Sequence, residues 1–459
     1  MRRVPVVLAL LGLLGTSGCG PRGSGPERHP LLVVGVDGLE WDVLLPLLAA
    51  GELPTLAGWI ERGRAGLLET FEPTQSPVIW TTVATGKTWR DHGISGFVRR
   101  GPDGEAQLLT SLDRRAAALW NMTDHAGLRT AVVGWWMTSP VEPIRGVMVA
   151  QTNTLPPRLG GRGRGSRLWK GSVEPGRPGQ VHPPELAPRV EEWLGEAEAS
   201  LDARLEALVA PFPRPMPRFE QRLWTASRWS LRADAVYLRT ARSLLEEDEG
   251  LDLVLLYLGG PDVLGHRFWR YWRPDEYEHP PDAAARQAFG DVLPAYHRYL
   301  DAQLGRLTAQ LEGWNVLLLS DHGMRPYQTA GVFDGGPGDG GLSGHHRNAP
   351  PGVLIAAGPD IAPAGSGLPG DRTDLPTLGT VFDITPTVLT LLGLPTAEDL
   401  VGRPLEPLLV PELRRNDRPK PIPSWDRWFE PAGAAPGAEE SPEDERLEQL
   451  RSLGYLDGD

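Results

Sequence analysis

The sequence predicts an α/β protein with a mostly parallel central sheet and helices on both faces. From Pro30 onward, short apolar runs with the character of buried strands alternate with helical patterns, which is typical of a sheet covered by helices. Three of these runs are followed by an aspartate, as in LLVVGVDG, LVLLYLGGPD and NVLLLSD. Because the carboxyl ends of parallel strands share one edge of an open sheet, where such sheets bind ligands, we expect these carboxylates to lie there together.

Length and composition are those of an ordinary globular protein. A chain of 459 residues can form one large domain with insertions, or two to three smaller domains. Its 40% hydrophobic and 23% charged residues are typical of soluble domains. The net charge of −13 argues against binding of nucleic-acid polymers, because neutralising phosphates requires clustered lysine and arginine.

The N-terminus predicts export. Two arginines precede an apolar stretch from Val4 to Leu14, which is shorter than the roughly 20 residues of a membrane-spanning helix and fits a secretory signal peptide over residues 1–19. The only cysteine, Cys19, stands at the expected cleavage point and resembles the lipidated cysteine of a bacterial lipoprotein signal, although Thr16 replaces the usual leucine. A cysteine there by chance is the alternative. We expect a periplasmic or cell-envelope protein, anchored to the membrane if Cys19 is modified, with a flexible tether at 20–29.

The first strand and the segment that follows it carry the first candidate site residues. Leu31 to Val36 reads as a buried strand that ends at Asp37. Further on, Pro73 and Pro77 bracket a turn that places Ser76 at the start of a helix. The unpaired N–H groups and the dipole of a helix N-terminus favour an anionic substrate, so Ser76 is the candidate nucleophile. An ordinary helix cap is the alternative.

The middle of the chain predicts a strand and then an insertion. The run TAVVGWW at 130–136 reads as a strand after a helical stretch at 116–126. Residues 154–190 are rich in Pro, Gly and Arg, and residues 184–249 are charged and helical. We therefore predict a helical and loop insertion at 155–250. It either shapes access to the substrate or consists of structural helices packed on the outside.

The second half repeats the pattern of a strand followed by ligand residues. Asp262 and His266, which follow the strand at 251–258, are four residues apart and therefore share one face of a helical turn. A helix is predicted near 283–312, and the strand at 316–319 leads to Asp321 and His322. A glycine-rich loop then presents His345 and His346 before a strand at 352–358. A capped helix is predicted at 383–395, and a proline-rich acidic tail with a short apolar helix at 411–459.

Together these side chains predict a centre for two divalent metal ions. Three carboxylates and at least three imidazoles supply enough ligands, and ligation rich in imidazole and free of thiolate favours Zn²⁺, with Mn²⁺ as the alternative. Two ions roughly 4 Å apart can stabilise the attacking and the leaving oxygen of an in-line displacement. The expected substrate is a phosphate ester.

The ordered series of motifs resembles the alkaline phosphatase superfamily, and within it the type I phosphodiesterase and nucleotide pyrophosphatase family. The resemblance covers most of residues 30–410. Its motifs are VVGVDG, PTQSPVIWTTVATG with DHGI, GGPDVLGH, LLLSDHGM, and SGHHR leading into GVLIAAGPDI. It implies an alkaline phosphatase-like catalytic domain over 30–410 with two metal ions.

The resemblance also implies a ligand set and a mechanism. One ion would be held by Asp37, Ser76, Asp321 and His322. The other would be held by Asp262, His266 and His346, with His345 as the alternative to His346. By that likeness the hydrolase forms a phosphoseryl intermediate on Ser76.

The sequence departs from the family pattern near the nucleophile. The nucleotide pyrophosphatases usually carry a phosphate-binding Asn shortly after His-Gly-Ile, whereas Ser95, Gly96 and Phe97 follow here. The preference between diesters and monoesters is therefore open. Lys87 and Arg347 are candidate phosphate clamps, with surface charges as the alternative.

Other functions would share the fold. A sulfatase-like hydrolase requires a Cys or Ser followed by x-Pro-x-Arg, but Pro77 follows Ser76 directly and Trp80 stands at the arginine position. A phosphomonoesterase, a phosphotransferase and a non-catalytic metal-bound envelope protein remain alternatives. The segment RFWRYWR at 267–273 could stack a base or a sugar, or pack against the inserted helices.

Overall fold

The computed structural model describes residues 28–100, 106–151, 178–211, 214–327, 342–364, 367–414 and 418–430. The predicted signal peptide, nearly all of the tether, residues 152–177 of the predicted loop and the C-terminal helix lie outside the described residues.

Strands in the described part of the chain are numbered in chain order. They are β1 (Leu31–Val36), β2 (Arg64–Glu69), β3 (Val98–Arg100), β4 (Ala106–Leu108), β5 (Thr130–Val133), β6 (Gly146–Val149), β7 (Val181–His182), β8 (Leu253–Leu258), β9 (Asn315–Leu319), β10 (Arg325–Pro326), β11 (Gly344–His345), β12 (Gly352–Ala357) and β13 (Thr377–Thr380).

Most of these strands form one central sheet. Among the described residues it has nine strands, in the order β13-β2-β12-β9-β1-β8-β5-β6-β7. The five neighbours from β9 to β6 are parallel, whereas β12 runs antiparallel to β9 and β2, and β7 runs antiparallel to β6. β1, β8 and β9 are buried along their whole length, as expected for strands covered on both faces. The predicted α/β class with a mostly parallel sheet is confirmed.

Helices of the described chain follow the same numbering. They are α1 (Trp41–Ala49), α2 (Pro54–Arg62), α3 (Ser76–Thr85), α4 (Trp89–His92), α5 (Leu119–His125), α6 (Ala187–Glu206), α7 (Arg218–Glu247), α8 (Gly260–Trp272), α9 (Ala283–Phe289), α10 (Val292–Thr308) and α11 (Ile384–Leu391).

The helices cover both faces of the sheet. Alternate residues of a strand point to opposite faces, and β1 divides its side chains accordingly. Leu31 and Val33 share a core cluster with residues of α3, α5 and α11, whereas Leu32 and Val34 share one with residues of α1, α2, α7 and α10. The sheet is therefore the middle layer between two hydrophobic cores.

The segment predicted as an insertion contributes to the core of the sheet. Tyr237 and Leu244 of α7 lie in the same cluster as Leu32 and Val34, so α7 belongs to the helix layer on that face. The boundaries 155–250 stay a prediction. Trp224 of α7 packs against Phe268 with ring centroids 6.1 Å apart, and Phe268 is fully buried. The packing alternative for the segment RFWRYWR is therefore confirmed at this position.

Two expectations about helices require comment. The single helix predicted near 283–312 is wrong, because the chain forms α9 and α10 with Gly290 between them. Pro294 lies in the first turn of α10, where proline is tolerated, whereas in a continuous helix its ring would clash with the carbonyl of Gly290. No single helix of the described ranges is long and apolar enough to cross a membrane. α1 and α2 meet that test only as a pair bent by 94°.

Candidate metal centre

The predicted ligand residues lie at the carboxyl edge of three adjacent strands. Asp37 directly follows β1, Asp321 lies two residues beyond β9, and Asp262 lies in the first turn of α8, just after β8. All three carboxylates are fully buried. Because β9, β1 and β8 are neighbours in the sheet, residues almost three hundred positions apart in sequence occupy one site.

These residues form two groups of possible metal ligands. In each group one donor atom per residue lies within 4.8 Å of those of the other two. The groups are Asp37, Asp321 and His322, and Asp262, His266 and His346.

The two groups are in contact with each other. The rings of His322 and His346 are stacked with centroids 4.2 Å apart. Gly38, with φ of +63°, lies so close to Asp262 that a Cβ there would be 2.8 Å from the Asp262 Cα. A side chain at position 38 would therefore push the loop after β1 away from α8.

The structure separates the two candidate histidines of the glycine-rich segment. His346 is buried and belongs to the second group, with its ring centroid 5.0 Å from that of His266. His345 is half-buried, lies outside both groups and contacts the ring of Tyr327 at 5.4 Å. Of the two alternatives, only His346 is brought to the other ligand residues.

Ser76 is the first residue of α3 and is fully buried. Its Oγ has no hydrogen-bond partner among the described residues. Two contacts hold this end of α3 beside the groups. The Trp80 indole donates to Asp37 Oδ2 at 3.1 Å, and the Thr74 hydroxyl donates to the carbonyl of His346 at 2.6 Å. Thus one neighbour of Ser76 contacts the first group and another contacts the second.

The Nδ1 atom of each histidine in the two groups faces an oxygen. These oxygens are the Gly344 carbonyl for His266 (2.9 Å), the Gly323 carbonyl for His322 (3.1 Å) and the Thr74 Oγ1 for His346 (3.1 Å). The arrangement favours the tautomer with hydrogen on Nδ1, which leaves the Nε2 lone pair for a ligand. Metal-binding histidines in proteins are oriented in this way.

The carboxylates of the first group are also held by one oxygen. Asp37 Oδ2 accepts hydrogen bonds from the Tyr257 hydroxyl at 2.6 Å and from Trp80, and Asp321 Oδ1 accepts one from the backbone N–H of Gly38 at 3.3 Å. The other oxygens, Asp37 Oδ1 and Asp321 Oδ2, and His322 Nε2 have no hydrogen-bond partner within the described part of the chain. Buried acceptors of this kind are costly unless a cation satisfies them, so the residues fit a divalent metal ion.

Burial sets the protonation of the ligand residues. Burial, reinforced by the negative charges of Asp37 and Asp262, raises the pKa of Asp321 well above its usual value. Burial also lowers the pKa of His266 to about 3, and lowers the pKa of His322 and of His346. The imidazoles are therefore neutral at physiological pH, as a metal ligand must be.

Sequence reasoning missed the residues that hold the ligands. Tyr257 lies within an apolar strand, and Thr74 and Trp80 flank the nucleophile candidate. Their only signal is a polar group beside a ligand motif, which many structural residues share. Both expectations for Lys87 are wrong, because its buried ammonium contacts Asp399 at 2.5 Å and Asp426 at 3.0 Å. Arg347 is exposed, as expected for a surface charge.

Comparisons with known proteins agree with this geometry. The fold and the ligand residues define the class, the metal-dependent phosphoric ester hydrolases of the alkaline phosphatase superfamily. The model of the type I phosphodiesterase / nucleotide pyrophosphatase family matches residues 31–336. The chain belongs to that family. No protein of curated function matches the sequence.

Solved structures show the same fold at low sequence identity. Alkaline phosphatase PafA is 12% identical with a TM-score of 0.55, covering 84% of this chain and 100% of its own. Human ectonucleotide pyrophosphatase / phosphodiesterase 5 is 15% identical with a TM-score of 0.46, covering 83% and 99%. Phosphonoacetate hydrolase from Sinorhizobium meliloti 1021 is 21% identical with a TM-score of 0.39, covering 66% of this chain. This chain spans only 58% of that enzyme.

Proposed function

We propose that the protein hydrolyses phosphate esters, as a phosphodiesterase or nucleotide pyrophosphatase, through a phosphoseryl intermediate on Ser76. The observation that carries the proposal is the pair of buried ligand groups next to a buried serine whose hydroxyl has no hydrogen-bond partner within the described ranges. A serine in such a place has no evident structural role, because it neither caps its helix nor satisfies a neighbour.

Two divalent ions would complete the site, Zn²⁺ by ligand type with Mn²⁺ as the alternative. Asp37, Asp321 and His322, with Ser76, would hold one ion. Asp262, His266 and His346 would hold the other. When bound, such ions lower the pKa of a serine hydroxyl and stabilise negative charge on the leaving oxygen.

The chain's own residues perform the remaining tasks. The Ser76 Oγ attacks phosphorus and forms a new P–O bond while the bond to the leaving oxygen breaks. The N–H groups at the start of α3 favour the negative charge of the phosphoryl oxygens. Water then attacks the phosphoserine, which releases phosphate or a phosphomonoester and restores Ser76. Meanwhile Tyr257 and Trp80 fix Asp37, and Thr74 fixes His346.

Replacing the nucleophile tests the mechanism. Ser76→Ala is expected to lower hydrolysis of a chromogenic phosphodiester by at least roughly 1,000-fold, because no other group can form the covalent intermediate. Metal content, measured by elemental analysis, should stay near two ions per chain, because three other ligands remain at that ion. Ser95→Ala, at an exposed position in the loop beyond α4, is the matched control. Hydrolysis by Ser76→Ala at the wild-type rate would refute the assignment.

A substrate panel separates the alternatives. We expect metal-loaded protein to hydrolyse a phosphodiester faster than a phosphomonoester or a sulfate ester, and chelation to abolish each reaction. A faster monoester reaction would identify a phosphomonoesterase, and transfer to an added alcohol in place of water would identify a phosphotransferase. A protein that holds two ions without turning over any ester would support the binding alternative.

A further inference from the structure

A cavity remote from the metal centre has a lining unlike that of the rest of this acidic protein. Its volume is about 280 Å³, just below the range of roughly 300–1,000 Å³ typical of ligand pockets, and it lies between α6, α7 and α10. Buried leucines, among them Leu201, Leu238 and Leu307, form part of its wall. The metal ligands lie on other elements, so this cavity is a separate feature.

Arginines dominate the polar part of the lining. Arg204 of α6, Arg239 and Arg242 of α7 and Arg306 of α10 line the cavity, and Glu196 is the one carboxylate among its lining residues. The lining therefore carries a surplus of three positive charges in a chain of net charge −13. Repulsion among guanidinium groups that converge on one space disfavours the folded state unless an anion is present.

The neighbours of these arginines neutralise the lining only in part. Glu196 pairs with Arg239 at 2.6 Å. Arg242 lies 3.7 Å from Glu246, which is too long for a hydrogen bond. Arg204 donates to the hydroxyl of Tyr299, which carries no compensating charge.

We propose that this cavity binds a phosphate group, either inorganic phosphate or the phosphate of a small ester. Guanidinium groups from three helices surround the space, and a tetrahedral phosphate can accept from several forks at once, whereas a carboxylate has only two oxygens. The volume leaves room beside the phosphate for a small organic group against the leucine side chains.

Phosphate binding to the full-length, metal-loaded protein tests the proposal, with inorganic phosphate as the probe in calorimetric titrations. The double variant Arg239→Ala/Arg242→Ala is expected to lose this binding by at least tenfold in affinity, with hydrolysis of a phosphodiester unchanged. Arg62→Ala, at an exposed arginine of α2, is the control and should bind as the wild type does. If the double variant unfolds, the exposed Arg204→Ala replaces it.

A metal-centre variant distinguishes this site from the proposed catalytic one. In His266→Ala/His346→Ala the arginine-dependent binding should persist, whether or not the protein proves to be a hydrolase. Binding that disappears in the metal-centre variant and survives in the arginine variant would overturn the proposal. Acetate competing as well as phosphate would overturn the assignment of the ligand class.

Discussion

At the scale of the residue, the metal centre depends on groups that aim the ligands. Each histidine of the two groups has its Nδ1 fixed by an oxygen, and Asp37 is held by a tyrosine and a tryptophan. The sequence identifies the ligands because they follow strands in recognisable motifs. It does not identify Tyr257 or Thr74, because a hydroxyl near a motif becomes informative only when its partner is known.

The adjacent histidines 345 and 346 provide a matched pair at this scale. His346→Ala is expected to reduce the metal content from two ions to one and to lower diester hydrolysis by roughly 100-fold, because the second group loses one of its three ligands. His345→Ala should retain both ions, because this side chain lies outside the groups. Elemental analysis after dialysis measures the metal content. The opposite pattern would assign the ligand to His345.

A buried histidine away from the metal centre predicts a dependence of stability on pH. Burial lowers the pKa of His297 to about 4. Its stabilising contribution is therefore complete above the unfolded value of about 6.5 and is lost as pH falls from 6.5 towards 4, at up to about 1.4 kcal/mol per pH unit. Urea unfolding at pH 7.5 and at pH 5 should show a smaller loss for His297→Gln than for the wild type.

The exposed His279 supplies the control for this experiment. His279→Gln should lose the same free energy of unfolding between the two pH values as the wild type. An equal loss in wild type and His297→Gln would show that His297 does not contribute to acid destabilisation.

At the scale of the element, two buried carboxylates connect the loops that carry the ligands. Glu40 accepts hydrogen bonds from the backbone N–H groups of Asp42 (3.0 Å) and Met324 (2.7 Å), which links the loop after β1 to the loop after β9. Asp234 of α7 accepts from the N–H groups of Gly259 and Gly260, both at 2.8 Å, at the start of α8. Helix α7 thus supports the helix that presents Asp262 and His266.

Replacing Asp234 tests this support. Asp234→Ala leaves two buried N–H groups without acceptors and is expected to lower the free energy of unfolding by about 3 kcal/mol. Affinity for the metal at the second group should fall, because α8 loses its anchor. Tyr296→Phe is the matched variant, since it removes only the 2.5 Å hydrogen bond to Asp234 and should cost about 1 kcal/mol. Wild-type stability and metal affinity in Asp234→Ala would contradict the role.

At the scale of the whole molecule, the site exists because three parallel strands end side by side. β9, β1 and β8 are adjacent, and each delivers one carboxylate to the same edge. The C-terminal part of the described chain closes on the helix that begins at Ser76. Lys87, just beyond α3, pairs with Asp399 and Asp426, and Asp426 also accepts from the N–H of Ala117 at 2.7 Å.

The location of the molecule remains a proposal that rests on its first nineteen residues. We propose export and lipid anchoring through Cys19, which predicts that the protein expressed in a bacterial host incorporates labelled palmitate and sediments with membranes. Cys19→Ala should lose the label and leave the membrane fraction, because two or more acyl chains are needed for stable anchoring. Unlabelled wild-type protein would indicate a chance cysteine.

The sequence by itself determined the class of fold, the strands β1, β8 and β9, and the residue types of the metal centre. It could do so because strand burial and the residues that follow a strand are local properties. Only the tertiary structure decided which strands are neighbours, that β12 runs antiparallel, that His346 rather than His345 reaches the ligands, and that Asp234 and Lys87 find distant partners. These features depend on contacts between segments far apart in the chain, and no local pattern of residues specifies them.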